Sequence, residues 1–218
     1  MTSPNEVPDL ICVIDDDADI RGSLDSLLRA AGFAVRTFAA PDEFLASADA
    51  DQATCLLLDI RLHGTDGLDF QQALAESSIP VPVILITGHG DIPMTVRGMR
   101  AGAVNFLSKP IDEDELLRSV QGAVAMDRER RLAQREGENV RACYGMLTPR
   151  EQEVMSLVTA GLMNKQVAGR LGLSEITVKI HRGNLMRKMQ AQSLADLVRM
   201  AEELGARNSS VARYPRAG

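Results

Sequence analysis

Five short apolar runs, separated by amphipathic stretches, constrain the fold of the first 125 residues. The central runs are apolar throughout rather than alternating, which is typical of strands buried on both faces of a parallel sheet. The runs are Leu10–Ile14, Ala34–Phe38, Cys55–Asp59, Val83–Thr87 and Asn105–Leu107. The helical patterns between and after them are Ala18–Ala31, Pro41–Ser47, Leu68–Ser77, Pro93–Ala101 and Asp112–Ala125. This repeat predicts an α/β doubly wound, five-stranded parallel sheet with helices on both faces.

After residue 145 the pattern becomes wholly helical. Thr148-Pro149-Arg150-Glu151 is a capping box with proline at the first helical position. Asn164, Ser174 and Ser193 are expected to cap three further helices, and Gly172 lies in the tight turn between the second and third. Two helices joined in this way form a helix-turn-helix. We therefore expect a separate all-α, four-helix, helix-turn-helix domain.

The formal net charge of −6 is the average of two opposite parts. Residues 1–125 contain 20 acidic and eight basic residues, whereas residues 126–218 contain ten acidic and 16 basic residues. Such asymmetry indicates two domains with different partners. The domains expected are an α/β domain at 9–125, a charged helical linker at 126–142, a helical domain at 146–205 and a flexible tail at 206–218.

Composition excludes several classes of protein. No apolar run approaches the roughly 18–20 residues of a membrane span, and the N-terminus lacks a secretory pattern. Cys12, Cys55 and Cys143 have neither metal-ligand nor redox spacing, so we expect a cytoplasmic protein with no membrane partner. The basic part lacks Trp and Phe, which argues against base stacking on single strands and favours duplex DNA. Neither GxxxxGK[ST] nor GxGxxG occurs, which argues against nucleotide binding.

Polar residues of unusual chemistry follow the predicted strands. Asp15 and Asp16 follow the first run, Asp59 ends the third, Thr87 ends the fourth and Lys109 follows the fifth. The carboxyl ends of parallel strands meet at one edge, where ligands bind. Three carboxylates there need a compensating cation, and oxygen ligands suit Mg²⁺. Any one of these residues alone is usually a turn or cap former, but their joint pattern indicates a phosphate site with Mg²⁺.

This pattern over residues 9–125 resembles the receiver domain of two-component response regulators, and ILITGHGDIPM and AGAVNFLSKP look like the FixJ-like subgroup. The resemblance implies a flavodoxin-like fold in which Asp59 is the phospho-acceptor and Thr87 and Lys109 bind the incoming phosphoryl group. It also implies a cis Lys109–Pro110 bond and Phe106 as the aromatic switch residue. The Mg²⁺ ligands that it implies are Asp15, Asp16, Asp59 and the backbone carbonyl of Arg61.

One departure from the family pattern lies four residues past the acceptor, where His63 replaces the proline that relatives usually have. No ligand is lost by this change, so we expect the chemistry to be retained. We interpret His63 as a loop residue rather than a metal ligand. Arg61 and His89 flank the site at positions that tune dephosphorylation in the family.

The segment LTPREQEVMSLVTAGLMNKQVAGRLGLSEITVKIHRGNLMRKM, within about 146–204, resembles the LuxR-type helix-turn-helix. In that family the third helix enters the DNA major groove, and the outer side of the fourth mediates dimerisation. A helical wheel of the third helix places Val178, Leu185 and Met189 on its packed side.

The opposite side of the third helix supplies most DNA-contact candidates. Lys179 is the best candidate for reading a base, with Ile180 beside it. Gly183 either permits close approach to DNA or is merely tolerated, at a helix-propensity cost of about 1 kcal/mol. The DNA-binding candidates are Lys165, Thr177, Lys179, Ile180, Arg182, Gly183 and Arg187, with Lys188 as a further phosphate candidate.

The favoured hypothesis is a regulator that accepts a phosphoryl group on Asp59 from a sensor histidine kinase. It would then form a homodimer or release its helical domain, bind double-stranded promoter DNA and contact RNA polymerase. Self-phosphorylation would be its only enzymatic step. A phosphohydrolase is the first alternative, but Arg61 stands where such an enzyme typically has its general acid. The second alternative is a phosphorylation-independent regulator whose receiver serves only for dimerisation.

Overall fold

The computed structural model describes residues 9–63, 65–77, 79–88 and 92–207. The chain divides into two compact units between Arg131 and Leu132. Among the described helices, none is long and apolar enough to cross a membrane. The predicted flexible tail lies outside the described residues from position 208 onward.

A parallel sheet forms the centre of the first unit. The strands of this unit are β1 (Leu10–Ile14), β2 (Ala34–Phe38), β3 (Cys55–Asp59), β4 (Arg61–Leu62), β5 (Thr65–Asp66), β6 (Val83–Thr87) and β7 (Asn105–Ser108). Five of them form the sheet in the order β2-β1-β3-β6-β7, and all its pairings are parallel. This confirms the predicted sheet, with β7 one residue longer than expected.

Helices cover both faces of the sheet. The helices that begin in the first unit are α1 (Ala18–Ala30), α2 (Pro41–Ala46), α3 (Gly67–Glu76), α4 (Ile92–Arg100) and α5 (Glu113–Gly145). Residues of α1 and α5 pack in one apolar cluster, and residues of α2, α3 and α4 pack in the other. Along β1, Ile11 and Val13 join the first cluster, whereas Cys12 and Ile14 join the second. Residues of β1 therefore pack against apolar side chains on both faces of the sheet, which explains why this run is apolar throughout.

Helix α5 continues through 126–142, the predicted linker helix. Asp127 is fully buried and forms ion pairs with Arg130 and Arg131. Arg131 also donates a hydrogen bond to the backbone carbonyl of Ala53, just before β3, at 2.8 Å. These contacts fix α5 to the sheet edge opposite the carboxyl ends of the strands.

The second unit has its own helical core. Its further helices are α6 (Pro149–Thr159), α7 (Asn164–Leu171), α8 (Glu175–Lys188) and α9 (Leu194–Glu203). Val154, Val178, Leu185 and Leu197 are completely buried at the centre of this core. Val140, which the sequence places in the linker, is buried there as well. The last turns of α5 thus complete the core that the four helices form.

Hydrogen bonds to the first helical turn confirm three of the predicted N-caps. These are Thr148, Ser174 and Ser193. The prediction that Asn164 caps α7 is wrong, because Met163 is the N-cap and its backbone N–H is satisfied by Gln166 Oε1 at 2.9 Å. Asn164 is the first residue of the helix, and its side-chain oxygen accepts a hydrogen bond from Arg182 at 3.1 Å. A tertiary contact therefore engages the side chain that was expected to cap the helix.

A buried carboxylate joins α6 to α8. Glu151 accepts a hydrogen bond from Lys188 Nζ at 2.6 Å and one from the backbone N–H of Thr148 at 2.8 Å. Burial raises the pKa of Glu151, but these hydrogen bonds outweigh burial and hold that pKa below its usual value. Lys188 also donates to the carbonyl oxygen of Met146 at 3.2 Å. Lys188 thus has internal partners that the sequence did not indicate.

Replacing this carboxylate, Glu151→Gln, is expected to destabilise the second unit by about 2 kcal/mol at pH 7, because Lys188 loses a charged acceptor. A lowered folded-state pKa means that ionised Glu151 stabilises the fold above its unfolded pKa of about 4.3. That contribution is lost as the pH falls through the folded-state pKa. The difference in free energy of unfolding between wild type and Glu151→Gln should therefore become smaller below about pH 4.

Urea unfolding of the full chain, followed by tyrosine fluorescence, measures this difference. Both tyrosines, Tyr144 and Tyr214, belong to the second unit, and the sequence has no Trp. Glu153→Gln is the matched control, because Glu153 on the same helix pairs with Arg150 at the exposed surface. We expect that control to change stability by less than about 0.5 kcal/mol. An equal loss for Glu151→Gln at pH 7 and at pH 3 would contradict the assigned role.

Candidate functional site

Three carboxylates meet at the carboxyl edge of the sheet. Asp15 and Asp16 follow β1, and Asp59 is the last residue of β3, which pairs directly with β1. One oxygen of each lies within 4.8 Å of the other two. Asp15 and Asp59 are both buried, at 1% and 5% exposure. Asp17, in contrast, caps α1 by accepting the N–H of Asp19 at 2.9 Å, so it takes no part in this cluster.

Lys109 supplies the positive charge of this cluster. Its backbone N–H donates to the carbonyl oxygen of Thr87 at 2.7 Å, and the Lys109–Pro110 bond is cis, as expected. Its ammonium donates to Asp15 Oδ2 at 2.8 Å and to Asp59 Oδ2 at 2.6 Å. The side chain of Lys109 thereby joins the segment after β7 to the ends of β1 and β3.

Burial and pairing act against each other in this cluster. Burial raises the pKa of Asp15, and the hydrogen bond from Lys109 reduces that rise without cancelling it. Burial lowers the pKa of Lys109, but the hydrogen bonds to Asp15 and Asp59 outweigh it, and the net shift is upward. Lys109 therefore stays charged at neutral pH. Two buried carboxylates beside one ammonium leave an excess of negative charge that a further cation can neutralise.

The donor set of the cluster fits a metal ion. Asp15, Asp16 and Asp59 offer only carboxylate oxygens, which are the ligands of hard divalent cations such as Mg²⁺. These three side chains could hold a metal ion. Arg61, the predicted carbonyl ligand, lies in β4 two residues beyond Asp59, and its backbone N–H donates to Asp59 Oδ1 at 2.9 Å. The side chain of Arg61 is exposed.

The loop after β3 contains a hairpin and a tight backbone contact that were not predicted from the sequence. Strands β4 and β5 pair as a short antiparallel hairpin, and Gly67 follows it at the start of α3. A Cβ atom on Gly67 would lie 2.3 Å from the carbonyl oxygen of Asp59 and 2.9 Å from Cα of Ile60. Only glycine permits this approach, which fixes the backbone beside Asp59. The Asp66-Gly67 pair is a turn signal from which a tight turn could have been predicted.

The structure describes three further residues that the sequence analysis singled out, Thr87, Phe106 and His63. Thr87 is fully buried at the end of β6. Phe106 lies on β7 opposite Leu85 and packs, partly buried, against the core. His63 is largely exposed, and its Nδ1 contacts Oδ2 of Asp16. His89 lies outside the described residues.

In the second unit, α7, a tight turn and α8 form the helix-turn-helix. Gly172 ends α7 with φ 64°, a left-handed conformation that favours glycine. Ser174 then caps α8 by accepting the N–H of Thr177 at 3.1 Å. The hydroxyl of Thr177 lies 2.8 Å from that of Ser174, so Thr177 is engaged at the start of the helix.

The two sides of α8 differ as the helical wheel predicts. Val178 and Leu185 are buried, and so is Met189, the residue that follows the last residue of the helix. The exposed side includes Ile176, Lys179, Ile180, Gly183 and Arg187, and Glu175 at the start of the helix is exposed as well. Lys165 on α7 is also exposed, whereas Arg182 is half-buried and hydrogen-bonded to Asn164. The structure thus brings Lys179, Ile180, Gly183 and Arg187 onto one surface and holds Arg182 and Thr177 beside it.

Two family descriptions match the chain. The response regulator receiver domain matches residues 11–121, and the luxR family of bacterial regulatory proteins matches residues 145–201.

Relatives are similar over nearly their whole length. Nodulation protein W of Bradyrhizobium diazoefficiens is 55% identical over 90% of this chain and 86% of its own. Response regulator protein TodT of Pseudomonas putida is 41% identical over 89% of this chain and 86% of its own. Transcriptional regulatory protein FixJ of Bradyrhizobium diazoefficiens is 38% identical over 91% and 97%.

Solved structures agree with these relationships. The low-resolution structure of response regulator StyR has a TM-score of 0.82 and 44% identity, and the match covers 90% of this chain and all of StyR. Full-length FixJ from B. japonicum has a TM-score of 0.55 and 38% identity, with 92% and 98% covered. The chain therefore belongs to the FixJ-like two-component response regulators, with a receiver domain followed by a LuxR-type DNA-binding domain.

Proposed function

We propose that the receiver accepts a phosphoryl group on Asp59 from a phosphohistidine of a sensor histidine kinase. The observation that supports this most directly is the ammonium of Lys109, 2.6 Å from Asp59 and 2.8 Å from Asp15. In the transfer, a carboxylate oxygen of Asp59 forms a bond to phosphorus, the phosphorus–nitrogen bond breaks, and the leaving imidazole takes up a proton.

The other receiver residues orient and neutralise the reacting groups. Thr87 and Lys109 bind the oxygens of the incoming phosphoryl group. Mg²⁺ would be held by Asp15, Asp16, Asp59 and the backbone carbonyl of Arg61, and when bound it supplies positive charge that lowers the repulsion between carboxylates and phosphoryl oxygens.

Phosphorylation then controls DNA binding. Thr87 and Phe106 rearrange around the new phosphoryl group, and the chain forms a homodimer or releases its DNA-binding domain. The proposed domain boundaries are 9–125 for the receiver, 126–142 for the linker, 146–205 for the DNA-binding domain and 206–218 for the tail. The regulator acts at promoter DNA together with RNA polymerase.

DNA contacts are assigned to the exposed side of α8 and its surroundings. Lys179 reads a base, with Ile180 beside it and Gly183 allowing close approach. Lys165, Thr177, Arg182 and Arg187 contact phosphates. The internal partners of Lys188 support a positioning role for that residue rather than a phosphate contact.

Incubation of the full chain with acetyl phosphate and Mg²⁺ tests the phospho-acceptor. Wild type should gain the mass of one phosphoryl group and shift towards a dimer, whereas Asp59→Asn should show neither change. Intact-mass spectrometry and sedimentation measure the two effects. Asp51→Asn, which removes an exposed carboxylate of the same unit, should behave as wild type.

Two further measurements test the need for Mg²⁺ and the role of phosphorylation in cells. Chelation of Mg²⁺ with EDTA should also prevent the mass gain of the wild type. Full promoter activity of Asp59→Asn in cells would favour the phosphorylation-independent regulator. Equal mass gain by wild type and Asp59→Asn would contradict the assigned acceptor.

Gly183→Ala tests close approach to DNA without disturbing the core. An added Cβ meets no atom within 4 Å, and alanine is the better helix former by about 1 kcal/mol. The variant should therefore melt at the same temperature as wild type or higher, yet bind its DNA at least about tenfold more weakly.

Tyrosine fluorescence measures the melting, and titration of labelled duplex measures the binding. Gly122→Ala, at an equally open helical glycine of the first unit, should leave DNA affinity unchanged. Unaltered affinity of Gly183→Ala would show that this glycine is merely tolerated.

A further inference from the structure

Two isoleucines on the exposed side of α8 are not explained by the fold. Ile176 is 74% exposed, more than any other large apolar side chain in the described ranges, and Ile180 is 58% exposed. Isoleucine is a poorer helix former than alanine or the long polar residues, and here each side chain leaves apolar surface in water. Neither packing nor helix propensity therefore accounts for isoleucine at these positions.

The two side chains lie together with an open backbone position. Residues four apart are neighbours on a helix surface, and Gly183 continues the same side one turn further. No atom lies within 4 Å of the point where a Cβ of Gly183 would stand. Ile176, Ile180 and Gly183 thus form an apolar strip that begins in the first turn of α8.

Charge determines what can cover this strip. Lys179 and Arg187 are exposed on the same side of the helix against one exposed carboxylate, that of Glu175 at the helix start, so this side has a net positive charge. Two copies of the strip placed face to face would bring these cations together, which is unfavourable for a contact between copies of the chain. A surface with apolar groups at its floor and phosphates along its rim would satisfy both the isoleucines and the cations.

We propose that Ile176 and Ile180 read the 5-methyl groups of two thymines in the major groove. This inference rests on the proposed DNA binding and adds the chemistry of recognition. Thymine is the base that presents an apolar group in that groove, and the first turns of a recognition helix are those that contact base edges. Side chains four residues apart on a helix are separated by about 6 Å, so the two thymines lie within about two base-pair steps.

The experiment begins by selecting a preferred duplex from a randomised pool with the full chain after treatment with acetyl phosphate and Mg²⁺. Each thymine of one half of that duplex is then replaced singly by deoxyuridine, which lacks only the methyl group. At two positions we expect wild-type binding to weaken by about fourfold, the effect of losing one buried methyl. All other replacements should have little effect.

Variants assign each methyl to its side chain. Ile176→Ala should abolish the deoxyuridine effect at one position, and Ile180→Ala should abolish it at the other. Met146→Ala removes a side chain of similar exposure, 57%, outside α8, and should keep both effects. Since Ile176 and Ile180 are exposed and alanine is the better helix former, both variants should be at least as stable as wild type by tyrosine fluorescence.

Each outcome decides between the inference and the function on which it rests. A duplex that is selected but insensitive to deoxyuridine at every position would overturn methyl readout and leave DNA binding intact. Sensitivity that persists unchanged in Ile176→Ala and Ile180→Ala would assign the methyl contacts to other residues and overturn the inference. Failure to enrich any duplex would overturn the proposed DNA binding, and methyl readout with it.

Discussion

One ammonium group between two buried carboxylates holds the functional edge of the receiver together. Asp15 and Asp59 come from neighbouring strands, and burying both charges is unfavourable without a cation. Lys109 supplies that cation from the segment after β7, and its backbone bonds to the end of β6. The order of the strands therefore matters to the site, because it places the end of β3 between the ends of β1 and β6 and the end of β7 next to that of β6. The same pairing keeps Lys109 charged despite its burial.

The second unit uses a buried pair for a different purpose. The ion pair between Glu151 and Lys188 joins α6 to α8. The cationic residues of α8 thus have two different roles, since one stabilises the fold and the others lie at the surface. Lys188 is held inside, whereas Lys179 and Arg187 remain exposed. Sequence position alone does not distinguish these roles, since all three lie within three turns of one helix.

The strands and the residues gathered at their ends could be predicted because burial on both faces leaves a direct record in the sequence. Each run of apolar residues is a strand, and parallel strands end at one edge. The partners of Lys188 and Asn164 could not be predicted, because they depend on side chains 37 and 18 residues away in the sequence. The need for glycine at Gly67 arises from a backbone contact that exists only in the folded chain.

The burial of Asp59 limits the shape of any molecule that can reach its carboxylate. Only 5% of its surface is accessible, although it ends a strand and lies at the rim of the sheet. A flat protein surface cannot reach such an atom. In the phosphoryl transfer that we propose, the phosphoryl group must arrive at the tip of a narrow projecting side chain or on a small free molecule. The proposed donor is therefore selected in part by how far its phosphorylated group projects, in addition to any contact between the two protein surfaces.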